Sequence, residues 1–147
     1  MYADKIIVKT FSELTTEELY EILKARFSVF VQEQRCLYLD MDGIDYRSLH
    51  IFLRDGRDVI AYARLFEEDD NPDTWHIGRV LTVRRGEGLG ILLMKKVIET
   101  ARLHGVSMLR MDAQTHAVGF YEKIGFRVCS DVFEEAGMPH VKMEFKR

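Results

Sequence analysis

The spacing of apolar residues changes along the chain and marks out its elements. "KIIVKTF", Lys5 to Phe11, predicts a first strand. In "TTEELYEILKARFSVFVQEQ" the positions Leu19, Ile22, Leu23, Phe27, Phe30 and Val31 recur at helical spacing. Thr15 and Glu18 precede that run as a capping box, each side chain satisfying the other's free backbone N–H. Residues 35–48, "RCLYLDMDGIDYRS", show no period and contain Asp-Gly, which predicts a loop. "LHIFLRDGRDVIAYARLFEE" reads as two strands joined around Asp55-Gly56. "NPD" then turns the chain into a further strand, "TWHIGRVLTV". A helix follows from about Leu89 to His104, then the strand "SMLRMDA". A short helix, "HAVGFYEKIG", is ended by Gly125. "FRVCS" and "HVKMEFK" close the chain as strands, with "DVFEEAGMP" between them. The order β-α-β-β-β-α-β-α-β-β, hairpins first and strand–helix alternation later, implies a mixed sheet with helices on both faces.

Length and charge narrow the function. A chain of 147 residues, 47% hydrophobic, fits one domain over 1–147 with a real core. A formal charge of −3 argues against a broad nucleic-acid-binding face. No apolar run approaches the ~20 residues of a membrane helix, and "MYADKIIVKTF" lacks the pattern of a signal peptide. Cys36 and Cys129 form no C-x-x-C pair and read as free thiols of a cytoplasmic protein, with Cys129 in the core. The five histidines are scattered and form no close ligand pair, so no metal site is expected. A homodimer is compatible with the sequence and not required by it.

The chemistry centres on "RRGEGLGILLMKKVIETARLHG". A glycine-rich turn between a strand and a helix lets a ligand approach the main chain. The first helical turn offers free N–H groups and a partial positive charge, which suits a phosphate or pyrophosphate. Arg84 and Arg85 add positive charge. A Walker A loop is excluded, because Ile91 and not Lys follows Gly90. A Rossmann loop is weakened, because Ile91 occupies the third glycine position, although Asp112 lies near where a ribose-binding acid falls. Arg85-Gly86-Glu87-Gly88-Leu89-Gly90 satisfies a third pattern, Arg/Gln-x-x-Gly-x-Gly/Ala, at every specified position.

That pattern is the coenzyme A pyrophosphate loop of the GCN5-related N-acetyltransferases (GNAT family), which the chain resembles. "QTHAVGFYEKIGF" is similar to the family's second motif, with Ala117, Phe120, Tyr121, Lys123, Gly125 and Phe126 in register and Gln114 in place of the common Asn. "RFSVFVQEQRCLYLDMDGID" and "FEEAGMPHVKM" resemble the ElaA-like branch, so the likeness covers nearly the whole chain. One departure is that Val83 runs straight into Arg84-Arg85, which shortens the turn before the loop.

The resemblance implies an α/β chain with the GNAT-like acyl-CoA N-acyltransferase fold: a mixed, mostly antiparallel sheet of about six or seven strands flanked by helices. It implies acetyl transfer from acetyl-CoA to an amine of a small molecule or peptide. Arg84, Arg85, Gly86, Glu87, Gly88, Leu89, Gly90 and Ile91 would hold the cofactor's pyrophosphate. Leu81, Thr82 and Val83 would pair with its pantetheine arm as an added strand. The strand "GRVLTV" would bulge and splay from "SMLRMDA", and an N–H near Leu81 would hold the thioester oxygen. Gln114, at the second motif's polar position, would also contact the cofactor. Tyr121 stands at the general-acid position, where a phenol with pKa of ~10 is protonated at neutral pH. Glu33 is the candidate base, with His116 and His140 behind it. Asp40, Asp42 and Asp45 read as a solvated acidic loop or as an attractor for a cationic acceptor. Two other readings stand: a non-catalytic CoA-binding sensor, and a Rossmann-type nucleotide enzyme.

Overall fold

The computed structural model describes residues 5–35 and 40–146. Its strands are β1 (Ile7–Thr10), β2 (Leu49–Asp55), β3 (Asp58–Glu68), β4 (Asn71–Thr82), β5 (Met108–Gln114), β6 (Arg127–Val128), β7 (Phe133–Glu135) and β8 (Met138–Lys146). They form one sheet in the order β1-β2-β3-β4-β5-β8-β6, with β7 paired on β8. Every pairing is antiparallel except β4 with β5. A doubly wound nucleotide fold requires a mostly parallel sheet, so the Rossmann reading falls.

Among the described residues the α-helices are α1 (Thr16–Arg26), α2 (Leu89–Leu103) and α3 (Val118–Ile124). Alternation along the strands feeds two cores. Ile51, Leu53, Ala61, Ala63 and Leu65 pack with Leu89, Leu93, Met94 and Val97 of α2. Phe52, Val59, Tyr62 and Leu81 face the other way and pack with Ile22, Ala25, Val29 and Phe30. The α2 side chains named here are at most 2% exposed. Each such burial is worth about 1.5–3 kcal/mol relative to exposure.

The capping box forms as expected: Glu18 N–H donates to Thr15 Oγ1 (3.0 Å) and Thr15 N–H to Glu18 Oε1 (2.8 Å). Four expectations shift. The first long helix changes after Arg26 into a π-helical turn, Phe27–Glu33, closed by Gln34 N–H on the Val29 carbonyl (3.0 Å). β4 begins at Asn71 and the reversal lies at Asp69–Asp70, so Pro72 sits at the start of the strand, where a missing N–H is tolerated. "DVFEEAGMP" contributes a strand, β7, in a tight hairpin with β8. Cys129 is exposed, because β6 is only two residues long and ends before it. Cys36 lies outside the described residues.

Candidate active site

The parallel pairing of β4 with β5 runs from Thr74–Met108 to Ile77–Met111 and stops there. Beyond it β4 stays on β3 and leaves β5. Arg64 pairs with Gly78 and Tyr62 with Leu81, so Ala63 faces both Arg79 and Val80. This is a β-bulge, one extra residue in one strand, which bends it. Arg79 carries the bulge with φ +54°, a left-handed conformation unusual for a residue with a Cβ. The strand thus bulges and diverges in the segment where the sequence had suggested it.

The divergence leaves one edge of β4 open. Val83 N–H donates to the Ile60 carbonyl (2.9 Å), which makes Val83–Ile60 a hydrogen-bonded pair. Hydrogen-bonded and non-bonded pairs alternate along an antiparallel ladder, so Leu81 also turns its peptide groups to β3. Of the three expected partners for an added strand, Thr82 is the one that turns its N–H and C=O to the open edge.

The turn after β4 leads into the N-terminus of α2. Gly86 and Gly88 have φ of +78° and +71°, so glycine is required at both. A Cβ on Gly90 would stand 2.9 Å from Phe120 Cζ, so that glycine lets α3 pack across the first turn of α2. The first intrahelical bond is from Leu92 N–H to the Gly88 carbonyl (3.2 Å). Leu89, Gly90 and Ile91 therefore point N–H groups outward without an intrahelical acceptor. Glu87 is exposed beside them. Arg85 is 91% exposed and reaches Glu33 at 3.4 Å; Arg84 is paired with Asp55. The shortened turn thus still delivers a helix N-terminus bearing a mobile cation.

On the α1 side of the divergence lies a cleft of about 580 Å³. Tyr121 lines it from α3 and is 8% exposed. Its ring meets Phe120 and Phe126 edge-on, and among the described residues its hydroxyl has no hydrogen-bond partner. Burial pushes this phenol up to about 12, so it holds its proton throughout the neutral range. Gln114, also lining the cleft, donates to Gln34 Oε1 (2.8 Å) and accepts from His116 Nε2 (2.6 Å). It ties β5 to the end of the π-helical turn. Glu33 does not line the cleft; it is exposed and faces Arg85.

Other titratable groups line the cleft instead. Burial pushes the His76 imidazole down, although Asp112 and Glu68 draw it the other way. Glu135 is pushed up by burial and by the Asp112 charge beside it. Asp112 accepts from Lys142 (3.2 Å), and His140 lies 3.8 Å from Glu135. His140 Nδ1 donates to the Met138 carbonyl (2.8 Å), which leaves Nε2 facing Glu135. Among the described residues no group of three or more His, Cys, Asp or Glu could hold a metal ion. Nor is any helix there long and apolar enough to cross a membrane.

The three aspartates of the loop are neither solvated acids nor a bare attractor. Arg26, fully buried, donates to Asp40 Oδ2 (3.0 Å), Asp45 Oδ1 (2.7 Å) and the Asp40 carbonyl (3.0 Å). Arg64 grips Asp42 with two bonds (2.8 and 2.7 Å) and Asp45 with a third (3.1 Å). Arg79 donates to Asp40 Oδ1 (2.8 Å) and to its carbonyl (3.1 Å). Asp42 is partly buried, which raises its pKa, but Arg64 outweighs this and holds it at about 2. Three guanidiniums and three carboxylates thus cancel inside the fold. The sequence marks these arginines as buried, though not their partners: Arg26 sits four residues from both Ile22 and Phe30, on the buried stripe, and Arg64 interrupts an apolar strand.

An open strand edge leading into an uncapped helix N-terminus, with a buried phenol lining the cleft at the divergence, suits an extended ligand that ends in an anionic group. The chain belongs to the GNAT acetyltransferases: the profile of the family described as "Acetyltransferase (GNAT) domain" matches residues 9–147. It is an acyl-CoA-dependent N-acetyltransferase of that type. It is similar to ElaA of Escherichia coli, 39% identical over 137 residues that cover 90% of each chain. The crystal structure of that ElaA superposes with a TM-score of 0.89, covering 96% of this chain and 98% of that one. An acyl-CoA N-acyltransferase from Pseudomonas aeruginosa is 32% identical, with a TM-score of 0.87 over 95% and 98% of the two chains.

Proposed function

We propose that the chain transfers an acetyl group from acetyl-CoA to a primary amine of a small molecule or peptide, by direct attack on the thioester. The observation that supports this best is the divergence of β4 from β5 after Ile77, which opens a cleft lined by Gly78, Arg79, Val80 and the buried phenol of Tyr121, on the strand whose far end leads into the N-terminus of α2. The pyrophosphate rests on the N–H groups from Gly86 to Ile91, with Arg85 closing over it. The pantetheine amides pair along β4 at Thr82. The oxyanion is received by a peptide N–H of the bulge rather than by Leu81, whose peptide is turned to β3.

The amine nitrogen attacks the carbonyl carbon, a C–N bond forms, and the C–S bond breaks. Tyr121 gives its proton to the departing sulfur. A buried phenol is a weaker acid than a free one, but the same burial raises the proton affinity of a thiolate expelled beside it. The amine's proton passes to a group in the cleft, His76 or Glu135, in preference to Glu33, which does not line it. With the loop aspartates already neutralised, Glu135 and Asp112 provide the negative charge that meets an incoming ammonium. Titration calorimetry with acetyl-CoA, followed by thiol release against sugars, polyamines, amino acids and peptides, tests the reading. Micromolar uptake with turnover on an amine supports it. Uptake with no turnover on any amine favours a CoA-binding module, and no uptake by folded protein refutes both.

A further inference from the structure

Arg79 is a strained residue in an ordered strand, and the strain has a visible restraint. A left-handed backbone costs a residue with a Cβ free energy that glycine does not lose, and it persists only where its surroundings over-determine it. Here the surroundings are chiefly Asp40, with Asp42 Oδ2 a longer contact of Arg79 Nη2 at 3.4 Å. The Asp40 carboxylate accepts from Arg26 Nε on one oxygen (3.0 Å) and from Arg79 Nε on the other (2.8 Å). Its carbonyl accepts from Arg26 Nη2 (3.0 Å) and Arg79 Nη2 (3.1 Å). Two planar forks close on one residue from opposite sides, and one of them is fixed in the core by α1. The side chains of Arg79 and Asp40 are only 18% and 10% exposed.

The bulge has a side-chain consequence. Ile77 and Val80 pack toward the α2 core, while Leu81 packs toward α1. Strict alternation from Ile77 would have sent residue 79 into the α2 core. The extra residue sends Arg79 to the α1 side, where Asp40 waits, and gives Val80 the core position. A Cβ at Gly78 would stand 3.3 Å from Arg64 Nε, so the neighbouring position is held open for the second arginine.

We propose that Asp40 and Arg79 form a clamp that sets the bulge of β4, and so prepares the open edge that receives coenzyme A; both are positioning residues. This rests on the proposed use of that edge by acyl-CoA. The restraint leads from Arg26 on α1 through Asp40 to the backbone at residue 79. The cofactor side is therefore preorganised by the same loop that walls the acceptor cleft.

The test compares Arg79→Gly with Arg79→Ala. Both lose the same ion pairs, so any loss of fold from unpaired Asp40 is common to both. They differ in the cost of the left-handed backbone. Calorimetric titration with coenzyme A itself gives the readout. If the side chain serves to hold the bulge, Arg79→Gly stays within about threefold of wild type, while Arg79→Ala binds about tenfold more weakly. Asp40→Asn, which keeps Arg79 and is checked for fold by circular dichroism, also weakens binding. In an ordinary strand position alanine is favoured over glycine, so the expected order is reversed from the default. Arg79→Ala binding as well as or better than Arg79→Gly, or Asp40→Asn binding like wild type, overturns the clamp while leaving the proposed function intact. No uptake by the wild-type protein removes both.

Discussion

Replacing Asp45 by Asn is the most direct probe of how much the fold depends on its buried charges. Asp45 is 8% exposed and accepts from Arg26 (2.7 and 3.3 Å) and Arg64 (3.1 Å), whose side chains are 1% and 3% exposed. Removing one partner of a buried pair costs about 3–5 kcal/mol, because the remaining charge is left uncompensated. Arg26 keeps Asp40 and Arg64 keeps Asp42, so the lower end, about 3 kcal/mol, is expected here. For a chain of this size that lowers Tm by roughly 10 °C. The acid side gives an independent check. Burial pushes Asp45 up, but the arginines outweigh it and hold it below the usual carboxylate range; Asp42 is held at about 2. A depressed folded value means stability that is present above the unfolded value near 4 and lost as pH falls through the folded one. The wild type should therefore lose stability between about pH 4 and 2, and Asp45→Asn should lose less across that window. Urea denaturation at several pH values, with Tm by calorimetry, measures both. A drop in Tm of less than about 2 °C, or an unchanged acid slope, would refute the view that these charges are buried and coupled.

Tyr121→Phe should bind acetyl-CoA like wild type and lose about a hundredfold or more in kcat, read by single-turnover thiol release. Because burial carries the phenol to about 12, wild-type turnover should show no alkaline loss from this group below about pH 10. Gly88→Ala meets no atoms within 4 Å but must hold φ +71°, so it should cost about 1 kcal/mol and weaken coenzyme A binding. Gly119→Ala, in α3 and equally uncrowded, should stabilise the fold by about 0.5–1 kcal/mol in the same denaturation assay. His50 is buried, with Nε2 donating to the Asp45 carbonyl (2.9 Å) and Nδ1 accepting from Tyr62 (2.7 Å). Burial lowers its pKa, so its contribution should be lost as pH falls below about 6.5. In His50→Gln the stability should be flatter across that range, and an identical slope would count against the assignment.

The elements that carry their own signal were legible in the sequence. Amphipathic periods, the Thr15–Glu18 cap, the Asp55-Gly56 hairpin and the glycines before α2 are local features, and each formed close to where its residues pointed. The features that escaped are those in which distant segments meet. The six-charge network joins α1, the 40–45 loop, β3 and β4, so no window of sequence contains it. β7 is short and exposed, and it exists because β8 offers an edge, which leaves little pattern in three residues. Cys129 looked like core because it lies inside the strand-like run "FRVCS", but the strand ends before it. For the site, Tyr121 was found by register within a motif. Glu135, Asp112 and His76 are brought to one cleft by the sheet order, while Glu33 faces Arg85 and does not line it.

The change in helical winding after Arg26 sets the phase of everything between α1 and the sheet. A π-helical turn holds one residue more than its α counterpart. Deleting a single residue between Phe27 and Glu33 would let the segment rewind as ordinary helix with Gln34 near its present azimuth, whereas forcing α winding on the full segment would carry the chain beyond it round by about 100°. Gln34 would then swing off Gln114. The surplus residue is slack taken up by the wider turn, so a one-residue deletion there should be better tolerated than a one-residue insertion.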